Sequence, residues 1–235
     1  MVTLSEENYL KTIFHLGRHD KASVSTNAIA QKMETKASSA TDMIKKLSEK
    51  GLVDYQKYKG VQLSENGRLA AISVIRKHRL WEVFLVNKLS FSWDEVHEVA
   101  EQLEHIKSEK LTLELESFLE YPTQDPHGDP IPDCNGRIPS TQKLMLAKVK
   151  QGHQCICVGV KDSSSEFLKY LDKHKIALGS QIKVISKEAY DKSMTVRIND
   201  IQKTISKEVA QNLFVQTNWA WLIQSFIISN LSIQF

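Results

Sequence analysis

The chain has 235 residues, 41 % hydrophobic and 25 % charged, with a formal net charge of +3. That length and apolar content allow one to two domains with buried cores. Three cysteines and no basic-apolar leader pattern argue against a disulfide framework and for a reducing, cytoplasmic setting. The charge is unevenly spread: residues 1–79 carry a net +6, residues 80–140 a net −9, and residues 141–235 have 13 Lys/Arg against 7 Asp/Glu. A basic N-terminal block suits a polyanion, and an acidic centre suits bound cations.

Thr3-x-x-Glu6 reads as a capping box that opens a first helix, with an apolar stripe of Leu4, Leu10, Ile13, Phe14 and Leu16 and Gly17 at its end. Ser25-Thr26-Asn27 caps a short second helix through Ile29, Ala30 and Met33. A turn at Glu34-Thr35-Lys36 leads to a longer helix with Ala40, Met43, Ile44 and Leu47, closed by Gly51. A β-hairpin follows: Leu52 to Gln56, the turn Lys57-Tyr58-Lys59-Gly60, then Val61-Gln62-Leu63. Two helices joined by a tight turn and followed by a hairpin make a winged helix-turn-helix. Lys36, Ser38, Ser39, Thr41 and Asp42 at the start of its second helix are types that reach base edges and phosphates in a major groove. Lys45, Lys46, Lys57 and Lys59 are candidates for phosphate contacts. The expected partner is double-stranded DNA.

Ser64 to about Lys88 reads as one long helix, on which His78 and Glu82 stand one turn apart. Ser92-x-x-Glu95 is a second capping box, opening a helix that runs through Val96 to Ile106. On it His97, Glu101, Glu104 and His105 share one face, while Val96, Val99, Ala100, Leu103 and Ile106 face a core. Two imidazoles and two carboxylates form a mixed N/O set that suits Mn, Fe, Co, Ni or Zn, although a solvated helix face has the same composition. Ser108 to about Leu119 forms a further helix, stopped by Tyr121-Pro122. The stretch 122–132 holds four of the five prolines and reads as a boundary. Inside it Asp125-x-His127 places another carboxylate beside an imidazole.

From Thr141 to Gln216, short β-like runs alternate with polar turns. They include Cys155 to Val160, Ile182 to Ile185 and Met194 to Ile198, with one helix over Glu166 to Asp172, the pattern of a small β-barrel. Cys155-x-Cys157 lacks a second Cys/His pair at zinc spacing and reads as buried strand cysteines. The apolar run Trp219 to Phe235 is broken by polar residues and short for a membrane span, so it reads as a docking or interface segment with no membrane role. Catalytic motifs fail: His97-Glu98-x-x-Glu101 is not H-E-x-x-H, and there is no phosphate-binding Gly loop or nucleophile with its base.

A winged helix-turn-helix is followed by Arg76-Lys-His-Arg-Leu80, Val96-His97, Glu104-His105, Pro126-His-Gly and Pro130-Ile-Pro. This order resembles the diphtheria toxin repressor and manganese transport regulator family of metal-dependent repressors, over about residues 4–216. The resemblance implies a mainly α architecture with β: a winged-helix DNA-binding domain (1–72), a helical metal-binding and dimerisation domain (73–138), an SH3-like (FeoA-type) β-barrel (139–217) and a tail (218–235) unlike the family's usual ending. It implies a homodimer on a palindromic operator, Mn²⁺ or Fe²⁺ as effector, repression of metal-uptake genes and no enzymatic activity.

Two metal clusters follow from the same resemblance. One comprises Asn8, Glu101, Glu104 and His105, with His78 nearby. The other joins His78, Glu82 and His97 to the third domain, with Asp125 and His127 matching a Cys-Pro-His loop of some members and Asp162 or Glu166 supplying a last ligand. Iron-type members place Met and Cys where this chain has Asn8 and Glu101, so the first cluster lacks sulfur and shifts toward oxygen donors. Lys11 stands where manganese-type members carry a second acid, and an ammonium there opposes a binuclear site. The competing readings are a metal-independent winged-helix regulator and a metalloenzyme.

Overall fold

The computed structural model describes residues 2–17, 22–56 and 59–217. Lys57 in the wing turn and the segment 218–235 lie outside the described residues. The chain divides into two units, one of Met1–Phe91, Val96–Asp125 and Pro130–Pro139, the other of Ser92–Glu95, Pro126–Asp129 and Ser140–Phe235.

The first unit begins with α1 (Leu4–Leu16), where both capping-box bonds are made: Glu6 N–H donates to Thr3 Oγ1 and Thr3 N–H to Glu6 Oε2. Helices α2 (Thr26–Lys32) and α3 (Ala37–Glu49) follow, then β1 (Val53–Gln56) pairs antiparallel with β2 (Gly60–Leu63) to form the wing. Leu10, Ile13, Phe14, Ile29, Ile44, Leu47, Val53 and Val61 close one core. At about 1.5–3 kcal/mol for each large side chain withdrawn from water, these contacts hold the three short helices together. Leu4, expected on the buried stripe, is 55 % exposed, because it is the first residue of α1 and lies beyond the reach of that core.

Helix α4 (Glu65–Leu89) is the strut of this unit. Its first half contributes Ala71, Ile72 and Ile75 to the winged-helix core. Its second half packs Leu80 and Val83 against Leu115 of α6 (Glu109–Phe118), and Leu85 against Val96 and Ala100 of α5 (Val96–Leu103). Gly67 is obligatory near its start, since a Cβ there would meet Leu52 O at 1.9 Å. One helix therefore joins the winged-helix core to His78 and Glu82.

Helix α5 is shorter than the sequence periodicity suggests. Ser92 Oγ and N–H both donate to Glu95 Oε2, so the expected box forms a turn and does not cap α5, which begins at Val96; the helix ends at Leu103, and Glu104 and His105 lie in the turn beyond it. The four polar residues therefore do not form one continuous helical face. Ending the helix there lets Glu104 point inward, where it is fully buried, while His97 and Glu101 stay half exposed.

The second unit is a six-stranded antiparallel sheet in the order β3-β8-β4-β5-β6-β7. Its strands are β3 (Leu144–Met145), β4 (Gln154–Val160), β5 (Gln181–Lys187), β6 (Met194–Ile198), β7 (Ile201–Ile205) and β8 (Leu213–Thr217), with α7 (Ser165–Lys173) after β4 and α8 (Lys207–Asn212) before β8. The sheet is SH3-like but not a closed barrel: β3 and β7 are its edges. Edge strand β3 has only two residues before the chain turns into a 3-10 turn at Leu146–Lys148, against which α8 packs. Cys155 and Cys157 are buried and free on one face of β4, and burial pushes their thiols up to about 12 and about 11. They are core residues of the sheet.

Candidate metal centre and nucleic-acid interface

His78 projects from the middle of α4 between two carboxylates. Its Nδ1 lies 2.6 Å from Glu104 Oε2 and its Nε2 lies 3.0 Å from Glu82 Oε1. Burial pulls this imidazole's pKa down, but the bonds to Glu104 and Glu82 outweigh it and raise it to about 9. His97 of α5 brings its Nδ1 to 3.1 Å from His78 Nε2 and 3.4 Å from Glu82 Oε1. Two nitrogens and one oxygen thus form a triangle with sides of 3.0, 3.1 and 3.4 Å.

That triangle fits a divalent ion. An ion held at about 2.1 Å spaces adjacent ligand atoms about 3.0 Å apart in an octahedron and about 3.4 Å in a tetrahedron. The donor set contains imidazole and carboxylate and no sulfur, which suits Mn²⁺, Fe²⁺ or Zn²⁺ better than a soft ion. The bond from His78 Nδ1 to Glu104 is of the carboxylate kind that, beside a metal, orients an imidazole and fixes its tautomer.

The cluster around Glu104 differs. Lys11 Nζ, from α1, lies 2.6 and 2.9 Å from the two Glu104 oxygens and 3.4 Å from Glu101 Oε1. Burial alone would raise the Glu104 carboxyl, but His78 and Lys11 hold it below its usual value. His105 turns Nδ1 to Glu7 Oε2 at 2.6 Å and leaves Nε2 3.6 Å from Glu104 Oε1. The α1 residue that reaches His105 is therefore Glu7, one position before the expected Asn8, which is half buried. The residues here do not fit an ion, because an ammonium already stands among the carboxylates. Glu7 was missed in the sequence, and its i,i+4 spacing to Lys11 was the available signal.

The remaining candidates are divided between the two units. Asp125 belongs to the first unit, with its Oδ2 3.4 Å from Arg79 Nε, while Arg79 Nη1 donates to Pro130 O. His127 belongs to the second unit, stacked on Trp93 with Nε2 2.8 Å from Trp93 O. Asp162 and Glu166 are also in the second unit; Asp162 Oδ1 accepts the Ser164 N–H just before α7, and Glu166 lies in its first turn.

On the winged helix, Lys36, Ser38, Ser39, Asp42, Lys45 and Lys59 are exposed. The Thr41 hydroxyl turns back to donate to Ala37 O. Lys45 pairs loosely with Asp42 at 3.7 Å. Lys46 and Lys50, by contrast, lie 3.0 and 2.8 Å from Glu6 Oε1. Glu6 is fully buried. Against that burial, the bonds from Lys50, the Thr3 backbone and Lys46 bring its carboxyl pKa down to about 2. Glu6 thus ties α1 to α3.

A winged-helix head, a helical segment with a His–Glu–His cluster and an SH3-like sheet define the class. Residues 1–61 match the family described as iron dependent repressor, N-terminal DNA binding domain. Residues 64–133 match the metal binding and dimerisation domain of the same repressors, and residues 144–217 match the FeoA domain. The chain belongs to the diphtheria toxin repressor and manganese transport regulator family. The iron-dependent repressor IdeR of Mycobacterium tuberculosis is 34 % identical over 126 residues, which is 54 % of each chain, so the match spans about half the length of that relative. The diphtheria toxin repressor of Corynebacterium diphtheriae is 24 % identical over 78 % of this chain and 85 % of its own length. A solved manganese-dependent transcriptional repressor in complex with manganese superposes with a TM-score of 0.81 at 34 % identity, covering 90 % of this chain and 99 % of the other. The manganese regulator SloR gives 0.71 at 32 % identity, covering 90 % and 98 %.

Proposed function

We propose that this protein is a metal-dependent transcriptional repressor of metal-uptake genes, acting in the cytoplasm as a homodimer on a palindromic operator and loaded with Mn²⁺ or Fe²⁺. The observation that carries this reading is the His78–Glu82–His97 triangle, two corners of which stand on α4, the helix that completes the winged-helix core. Sulfur-free ligands favour Mn²⁺ or Fe²⁺. When bound, the ion supplies positive charge and fixed ligand directions at the junction of α4 with α5. His78 and Glu82 hold the α4 side and His97 the α5 side, while His78 Nδ1 passes the constraint to Glu104. Glu104 holds α1 through Lys11, and Glu6 holds α3 through Lys46 and Lys50. A series of polar contacts thus leads from the triad to the helix whose exposed Lys36, Ser38, Ser39 and Asp42 meet DNA. Turning a mostly inactive population into a mostly active one takes ~5 kcal/mol of differential affinity, within reach of several imidazole and carboxylate ligands. Asp162 and Glu166 enter this reading through the family resemblance alone.

A gel-shift titration with promoter DNA from metal-uptake genes, repeated across Mn²⁺, Fe²⁺ and Zn²⁺ and with a chelator, tests it. Operator binding should appear with metal and disappear with chelator. Affinity unchanged by either would make this a metal-independent winged-helix regulator.

A further inference from the structure

Glu104 is a fully buried carboxylate, and such a group needs a fixed counter-charge or an ion. Its two oxygens are already engaged: Oε1 by Lys11, and Oε2 by Lys11 and His78 Nδ1. The same ammonium is 3.4 Å from Glu101 Oε1, and the side chain of Lys11 is only 15 % exposed. His105 has committed Nδ1 to Glu7. We infer that Lys11 is a tethered cation that takes the place of an ion in the Glu101–Glu104–His105 cluster. The joint between α1 and the end of α5 is therefore clamped by the chain itself, and only the cluster through Glu82 answers to metal.

The charge balance explains why an ion would not share the site. A divalent cation bonded to Glu104 would sit within a few ångströms of a nearly buried ammonium, in surroundings where little water screens their repulsion. Expelling Lys11 would remove the only ammonium among the described residues that reaches Glu101 and Glu104 and take a long side chain out of its packed position. The clamp also serves the head. Glu7 and Lys11 are one turn apart on α1, so His105 and Glu104 grip that helix at two points.

The inference rests on the proposed function only in assigning metal response to the Glu82 cluster, and ion counting separates the two. Mn²⁺ bound per full-length chain is measured by equilibrium dialysis, with electron paramagnetic resonance of the bound ions. Lys11→Gln should bind one Mn²⁺ more than the wild type, with spectral broadening from a neighbouring ion, and Lys11→Arg should bind the wild-type number. Glu101→Gln in the wild-type background should leave the count unchanged. Lys11→Gln should also gain more thermal stability from added Mn²⁺ than the wild type does, which reports the new site even if the metal-free variant is weakened. A wild-type ion lost on Glu101→Gln, or a Lys11→Gln count equal to wild type, overturns the inference. Metal-insensitive operator binding with the expected counts would sink the proposed function and leave this inference standing.

Discussion

Two clusters share His78 and differ in what balances their carboxylates. On its Nε2 side, Glu82 faces two imidazoles, one of them on the half-exposed His97. On its Nδ1 side, Glu104 faces a lysine that reaches across from α1 and is almost enclosed. The first arrangement gathers imidazole and carboxylate atoms close enough to share an ion, whereas the second already holds a covalently attached cation. A metal-responsive joint and a permanent one can thus be built from nearly the same residue types. What separates them is whether the counter-charge comes with the chain.

Removing the shared residue should have the largest effect. His78→Ala removes an imidazole from both Glu104 and Glu82, and unpairing buried charge costs about 3–5 kcal/mol. Urea denaturation without metal should show that loss, and Mn²⁺ should no longer raise the midpoint. A midpoint within about 1 kcal/mol of wild type would mean that the two carboxylates are solvated in solution. Lys11→Met breaks only the permanent side. The loss should be about 2 kcal/mol, since Glu104 keeps His78. Stability equal to wild type would erase the distinction between the two clusters.

Much of the first unit was legible because its signals are local. The Thr3/Glu6 box, the Ser25 and Ser108 caps and the αL Gly51 each act within four residues, and α1, α2, α3 and α6 start or stop where those residues place them. The wing was readable from its turn residues. The end of α5 was not, since nothing between Leu103 and Ser108 breaks a helix. The helix stops because a buried Glu104 is stabilised by His78 and Lys11, which are 26 and 93 residues distant in sequence. Glu7 escaped for the same reason, as its partner His105 is 98 residues away. The β-run reading of the second unit found the apolar strands β4, β5 and β6. It named no run at β3, β7 or β8; on β7, Gln202, Lys203 and Thr204 sit on an edge and give little apolar alternation.

The tie between α1 and α3 offers a smaller effect with a pH signature. Glu6 has its carboxyl lowered from 4.5 to about 2, so its contribution is fully present above about pH 4.5 and is lost as pH falls toward 2. Glu6→Gln should cost about 1–2 kcal/mol at neutral pH, and the difference should shrink progressively below pH 4.5. Melting curves from pH 7 to pH 3 check this. A difference independent of pH would show that the fit of the side chain, rather than its charge, sets the effect.

Lysines 45 and 46 are neighbours on α3 and are held differently, which gives the finest test of what serves the fold and what serves DNA. Lys45 is 60 % exposed and meets only an Asp42 that is 77 % exposed, a pair worth about 0–1 kcal/mol. Lys45→Ala should leave the melting temperature unchanged, weaken operator and non-specific DNA about equally, and reduce the slope of log affinity against log salt by about 1. Lys46 is half exposed and bonded to buried Glu6, so Lys46→Ala should lower thermal stability as well as DNA affinity. Fluorescence anisotropy across a salt series, paired with thermal melts of the same two variants, reads both quantities. If Lys45→Ala destabilised the fold while Lys46→Ala did not, the hold of Glu6 on α3 would rest on Lys50 alone, and the contact series from α1 to the DNA-facing helix would lose one of its two final links.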